Sequence, residues 1–344
     1  MRRASRAATL ALCAAMTIGA SANAQSFKEA QSFKGKTISI LIGPGTAGSG
    51  YDLYGRLIAR HLGRHLPGEP NVVARNMNGG GGLLLANHLY TTAPRDGTEL
   101  GVIAEIAPLS EALGANGVRY KSAEFAWIGR ATTSINVTMT WKTSRVKTLA
   151  DALKYPAPIA SGPVGGLANQ MPALLVAAFG AKFQLVQGYD STAAMQLAMM
   201  HGETEGSFGD LGALKTTHPD WLRDGLVNLI VQYSVERAPD LPDVPAVGEL
   251  ARSEVDKRFL EVALGGGPIG RPLVAPPGTP PDIVAALRAG FDAAMSDPEL
   301  IEDAARANLP LSPMSGARLQ EIVARIASAP ATAVARAREV MGPK

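Results

Sequence analysis

Glycines at positions 43, 45 and 48 give this chain a G-x-G-x-x-G spacing, and Asp52 follows four residues later. A glycine loop of this kind leaves backbone N–H groups bare at the start of a helix, where the helix dipole favours an anion. The chemistry on offer is capture of a phosphate, a pyrophosphate or a carboxylate. No Lys follows in the G-x-x-x-x-G-K-[ST] spacing, so the loop is not a P-loop. A dinucleotide site would need an acid at the end of the second strand to hold a ribose. Glu69 precedes that strand, and Arg75 and Asn76 stand at its end. Asp52 falls in the first turn of the helix. It is read as a dipole-favoured residue that ties down the loop, because a carboxylate facing an anionic ligand would repel it.

Catalytic equipment is thin. His61 and His65 form an i, i+4 pair, but Arg60 and Arg64 flank them and no acid lies between them as in H-E-x-x-H. That pattern describes a solvated helix face better than a metal site. There is no G-x-S-x-G, and the single cysteine, Cys13, lies in the first 24 residues. Glu203 and Glu205 are two apart and could pair, but nothing else nearby suggests acid–base chemistry, and a surface or strand edge is the better reading. The expectation is a chain without catalytic residues, metal or cofactor.

The elements that must position the glycine loop are legible around it. Thr37 to Ile42 is a β-branched run fit for a buried strand. Beyond the loop, Leu53, Leu57, Ile58, Leu62 and Leu66 recur at helical spacing, with Arg56, Arg60 and Arg64 opposite. Asn71 to Arg75 predicts a strand, Leu83 to Leu89 a helix and Glu99 to Ala104 another strand. That alternation means right-handed parallel crossovers. Trp127 to Met139 is apolar and leads into a second unit of the same logic. There Ala157 to Ala160 enters the loop 161–166, and the helix Leu167 to Phe179 follows. A strand, Phe183 to Val186, a helix, Thr192 to His201, and a strand, Leu226 to Gln232, come after. From Pro280 onward the pattern is helical, with Ile283, Val284, Leu287 and Phe291 in register, a start at Pro298 and a last helix from about Arg318.

The N-terminus bears on where this happens. Arg2, Arg3 and Arg6 precede an apolar run to about Ala20, and Ala22-Asn23-Ala24 offers an A-x-A cleavage site. This is a secretory leader by pattern, and its apolar run falls short of the ~18 residues of a membrane span. Cleavage after Ala24 leaves 320 of the 344 residues and no cysteine. The leader holds three of the 33 basic residues and no acid, so the mature chain balances 30 basic against 30 acidic. No basic stripe with interleaved aromatics marks a nucleic-acid surface. With 46% hydrophobic residues, two α/β cores are easily filled.

Two glycine loops, one in each unit, could hold one small anion across a cleft. The ordered motifs then become specific. The segment ISILIGPGTAGSGYDLYGRLIARHL resembles the opening of the tripartite tricarboxylate transporter receptors, the Bug or TctC family. Pro44, Ala47, Gly48 and Asp52 fall on its P-x-x-A-G-G-x-x-D-like loop, with Ser49 in place of the second glycine. VVARNMNGGGG is similar to V-x-N-x-P-G-A-G-G, with Asn76 and Gly79 matching and Asn78 where proline is usual. APRDGTELGV, SGPVGG, GYDSTAAMQLAMMHGE, PDLPDVPAVGEL and APPGTPPDIVAAL continue the series in order.

The resemblance implies an α/β chain of the type II periplasmic-binding-protein class, with two α/β domains around a ligand cleft. After a signal peptide, 1–24, residues 25–134 and 261–344 would form one discontinuous domain and 135–260 the other. It implies a periplasmic, monomeric receptor that takes a small carboxylate and delivers it to membrane permease subunits. Ligand contacts carried over are Thr46, Ala47, Gly48 and Ser49 from the first loop, then Ser161, Gly162, Gly165, Tyr189 and Asp210 from the second domain. Gly43, Asp52, Asn76 and Gly79 would shape the loops. Two other readings stay open: an exported sensor signalling to a membrane partner, and an exported enzyme using the same cleft.

Overall fold

The computed structural model describes residues 33–45, 47–162, 166–239 and 241–341. Thr46, Gly165 and the leader with Cys13 lie outside them.

The chain begins as the residue pattern dictates. β1 (Thr37–Ile42) alternates Ile38, Ile40 and Ile42 against Leu41, and both sets are buried because helices cover both faces. α1 (Gly50–Leu62) lays Tyr54, Leu57, Ile58 and Leu62 on the first of those faces. β2 (Asn71–Asn76), α2 (Leu83–Thr91) and β3 (Glu99–Val102) follow, with Leu85 and Leu89 on the other face. β1 pairs in parallel with both β2 and β3. α3 (Ala107–Leu113) comes next, then β4 (Ala126–Arg130). The apolar stretch Trp127 to Met139 does not form one element. It ends at Arg130 and restarts as β5 (Asn136–Trp141) in a different sheet.

The second sheet is built from β5, β6 (Ala157–Ala160), β7 (Phe183–Val186), β8 (Gly206–Asp210) and β9 (Val227–Gln232). α4 (Leu167–Phe179), α5 (Thr192–Met200) and α6 (Leu211–Thr217) connect and cover it. Its order is β7-β6-β8-β5-β9, with β6 parallel to β7 and β8, and β5 antiparallel to β8 and β9. The chain returns through α7 (Glu254–Ala263) to β10 (Pro272–Ala275). α8 (Pro281–Met295), α9 (Pro298–Arg306), β11 (Met314–Ser315), α10 (Gly316–Ala327) and α11 (Ala331–Met341) complete it. The first sheet runs β11-β4-β10-β3-β1-β2, with β10 antiparallel to both neighbours. Pro272 sits at the first position of its strand, where a missing N–H is tolerated.

Each sheet is therefore sandwiched between helices. Leu287 and Phe291 join β1 and α1 on one face of the first sheet, and Trp127, Leu319 and Val323 fill the other. Burying one such side chain contributes about 1.5–3 kcal/mol. α11 lies against α7, α4 and α3, and its Ala337, Val340 and Met341 enter the core on the second sheet. The expected two-unit α/β architecture is what the chain adopts.

Candidate ligand-binding site

Topology brings one edge of each sheet to the crossovers that join the two. β4 runs parallel to β1 and β3, so Ile42, Asn76, Val102 and Arg130 all end on one edge of the first sheet. Ala160, Val186, Asp210 and Gln232 end on one edge of the second, where β5 starts at Asn136. The short crossover 131–135 joins these two edges, and the return path 233–271 arrives at Pro272 beside Arg130. The crossovers pair with each other. Ala131 N–H donates to Arg271 O at 3.1 Å, Arg271 N–H to Thr132 O at 3.0 Å and Ser134 N–H to Gly267 O at 3.1 Å. Helix N-termini and loops at strand carboxyl ends are where open α/β sheets bind ligands.

The first glycine loop is held from both sides. Gly43 N–H donates to Val102 O at 3.2 Å, and a Cβ on Gly43 would meet Leu85 Cβ at 2.8 Å. Gly45 has φ +75°, and a Cβ there would sit 2.4 Å from Ser49 Oγ. Ser49 caps α1, its Oγ accepting from Asp52 N–H at 3.4 Å. Asp52 accepts from Gly48 N–H, Arg56 Nε and Asn76 Nδ2, each at 2.9 Å, while Arg56 Nη2 donates to Asn76 Oδ1 at 2.7 Å. Burial alone would raise the Asp52 carboxyl, but the bonds from Arg56, Gly48 and Asn76 outweigh it and hold it down at about 2. The Gly48 amide is thereby engaged by Asp52. Gly79 opens the glycine run whose last member, Gly82, packs against the first loop; a Cβ on Gly82 would meet Pro44 Cγ at 3.1 Å. Ala47 and Gly48 are exposed and Ser49 is half-buried.

The second loop is more inward-facing. Ser161 is fully buried; its hydroxyl accepts from Asn169 Nδ2 at 3.0 Å and donates to Ala168 O at 3.3 Å. A Cβ on Gly162 would lie 3.3 Å from Ala168 Cβ and 3.9 Å from Tyr189 O. Tyr189 thus meets this loop through its backbone, and its phenol points to Glu203 Oε2, 3.5 Å away. Ser161, Gly162 and Tyr189 form one group at the ends of β6 and β7.

Asp210 belongs to a third group, most of which the residue pattern did not single out. Arg271 lies 4.2 Å above the Tyr51 ring, with Nη1 2.6 Å from Glu105 Oε2 and Nη2 3.8 Å from Asp210 Oδ2. Glu105 N–H donates to Tyr51 Oη at 3.1 Å, and Asn136 Nδ2 to Glu105 Oε1 at 3.2 Å. Asp210 caps α6 through Ala213 N–H at 2.9 Å and accepts from Ser134 Oγ at 2.9 Å. Burial pushes the Glu105 carboxyl up against the opposing pull of Arg271. Burial works against the Arg271 charge, and Tyr51, Glu105 and Asp210 more than restore it, so its guanidinium is held more firmly charged than usual. A trace of this cluster is present in the sequence: Arg271 is the only charged residue between Glu261 and Asp282, and Glu105 the only one between Glu99 and Glu111.

The histidine pair corrects one expectation. His61 is buried, not on a solvated face, and its Nε2 lies 2.7 Å from Asp303 Oδ2. His65 Nε2 lies 2.7 Å from Asp297 Oδ2, and Arg64 pairs with Asp297 and Glu299. The Arg/His face of α1 docks on the acidic start of α9. Among the described residues, no three His, Cys, Asp or Glu side chains are grouped to hold a metal ion.

No protein-family model matches the sequence, and no curated protein does. Solved structures do. A TctC solute-binding protein from Polaromonas superposes with a TM-score of 0.66 at 21% identity, over 86% of this chain and 97% of that one. MatC from Rhodopseudomonas palustris, solved with bound malate, gives 0.63 at 21% identity over 89% and 99%. A second R. palustris protein, solved with adipate, gives 0.63 at 21% over 89% and 99%. The chain thus has the fold of the TctC-type periplasmic solute-binding proteins.

Proposed function

We propose that this chain is an exported solute receptor that captures a small carboxylate in the cleft between its two sheets. The observation that carries this reading is the convergence of both sheets' strand carboxyl ends on two crossovers that pair with each other. Two proteins of the same fold were solved with malate and adipate, which supports the ligand class. In this reading the leader is removed after Ala24 and the mature protein works in the periplasm as a monomer, handing its ligand to membrane permease subunits. The loop from Thr46 to Ser49 meets the ligand from the first domain, with the α1 dipole behind it. Ser161, Gly162, Gly165, Tyr189 and Asp210 meet it from the second. Hydrogen bonds to a charged acceptor contribute about 1.5–3 kcal/mol each, so a few suffice for micromolar binding, near −8 kcal/mol.

A thermal-shift panel of mono-, di- and tricarboxylates, amino acids and nucleotides tests it. At one hundred times its dissociation constant, a ligand stabilises by about 2.7 kcal/mol, a rise of several degrees in a chain of this size. A nucleotide that shifts the protein while no carboxylate does would sink the reading.

A further inference from the structure

We propose that Arg271 is a positioning residue for the first glycine loop, fixing through the Tyr51 ring where α1 begins. The inference rests on the receptor reading above and names a residue that controls how well that site is formed. Arg271 has the fixed backbone such a role needs. Its N–H donates to Thr132 O at 3.0 Å, and its carbonyl accepts from Ala131 N–H at 3.1 Å. Both of its backbone polar groups are thus bound to the opposite crossover. The two crossovers run so close that a Cβ on Gly270, at φ +58°, would collide with Thr132 O. The Arg271 side chain starts from a point held on both sides.

From there the guanidinium reaches the first turn of α1. It lies 4.2 Å from the centre of the Tyr51 ring, and a Cβ on Gly50 would stand 3.7 Å from Nε and 3.8 Å from Nη2. Gly50 and Tyr51 directly follow Ser49, the residue that caps α1. Arg271 Nη1 pairs with Glu105 at 2.6 Å, and Glu105 N–H closes the circuit by donating to Tyr51 Oη at 3.1 Å. The ion pair is dry, its side chains 12% and 3% exposed. Arg271 Nε is also buried and has no acceptor. What the guanidinium gives α1 is therefore the stack on Tyr51, in a setting where a cation over a ring is worth most. A helix moves as one rigid element. A shift of that ring would carry Ser49 and the bare amides of the loop with it.

A double-mutant cycle on ligand affinity tests this. Calorimetry with the tightest-binding carboxylate of the panel above is run on the unmodified protein, Arg271→Lys, Tyr51→Leu and the double variant. Lysine keeps a charge for Glu105 but lays no planar group on the ring, and leucine removes the ring. Each single variant should bind about tenfold more weakly. The double variant should bind within about threefold of either single one, because both changes break the same contact. Tyr51→Phe keeps the ring and should bind within about threefold of the unmodified protein. Unchanged affinity in Arg271→Lys would overturn the proposal, as would a double variant whose loss is the product of the two single losses. If Arg271→Lys does not fold, position 51 decides alone, and equal affinities in Tyr51→Leu and Tyr51→Phe overturn it. Variants that all bind like the unmodified protein remove this inference and leave the receptor reading standing. If no carboxylate binds the unmodified protein, both fall.

Discussion

Asp52 is a carboxylate 3% exposed and held by three donors, so its charge is part of the fold. Its carboxyl is depressed from 3.8 to about 2, so its contribution is complete above the unfolded value and drains as pH falls from about 4 towards 2. The amount is about 2 kcal/mol. Asp52→Asn should lower stability by about that much at neutral pH, since its amide would oppose the donors of Arg56 and Asn76. The gap should close in urea titrations repeated down to pH 2.5, and a gap that stays constant would remove the charge from the explanation. This residue was legible from its place in a first turn, with the loop it ties four residues back. Arg271 was not, because its acceptor Glu105 lies 166 residues away and only the fold brings them together.

Among elements, the loop entering α1 depends on backbone that only glycine adopts without strain. Gly45→Ala meets both a left-handed φ and the Ser49 hydroxyl that caps the helix. It should destabilise by about 1–3 kcal/mol and weaken carboxylate binding severalfold, read by thermal melts and calorimetry. Unchanged binding in a folded variant would take the loop out of the site. Strands β1, β2 and β3 were readable from β-branched runs. β8 was not, because two of its five residues are glycine. A Cβ on Gly206 would lie 2.4 Å from Met139 O, so that glycine serves a close approach to β5 that no local pattern encodes. The docking of α1 on α9 was hidden for the same reason: the acids that bury His61 and His65 stand more than 230 residues on.

For the whole molecule, the succession of strand, glycine loop and helix announced two α/β units, and the ordered motifs announced their class. The pairing of the two crossovers was not visible, since 131–135 and 267–271 carry no pattern that relates them. The resemblance counted the last helix, within 261–344, with the first domain, whereas its Ala337, Val340 and Met341 enter the core on the second sheet. That placement matters for more than stability. Phe33 is anchored in the first sheet's core, its N–H donating to Pro67 O at 2.8 Å, while Met341 lies in the core on the second sheet. The two ends of the described chain therefore ride on different halves. A donor fluorophore fused ahead of Phe33 and an acceptor fused beyond Met341 should change their energy transfer when a carboxylate closes the cleft. Saturating ligand that raises the melting temperature yet leaves the transfer unchanged would argue against such closure. Without redesign of its interior, the protein is laid out as a ratiometric reporter of its own occupancy.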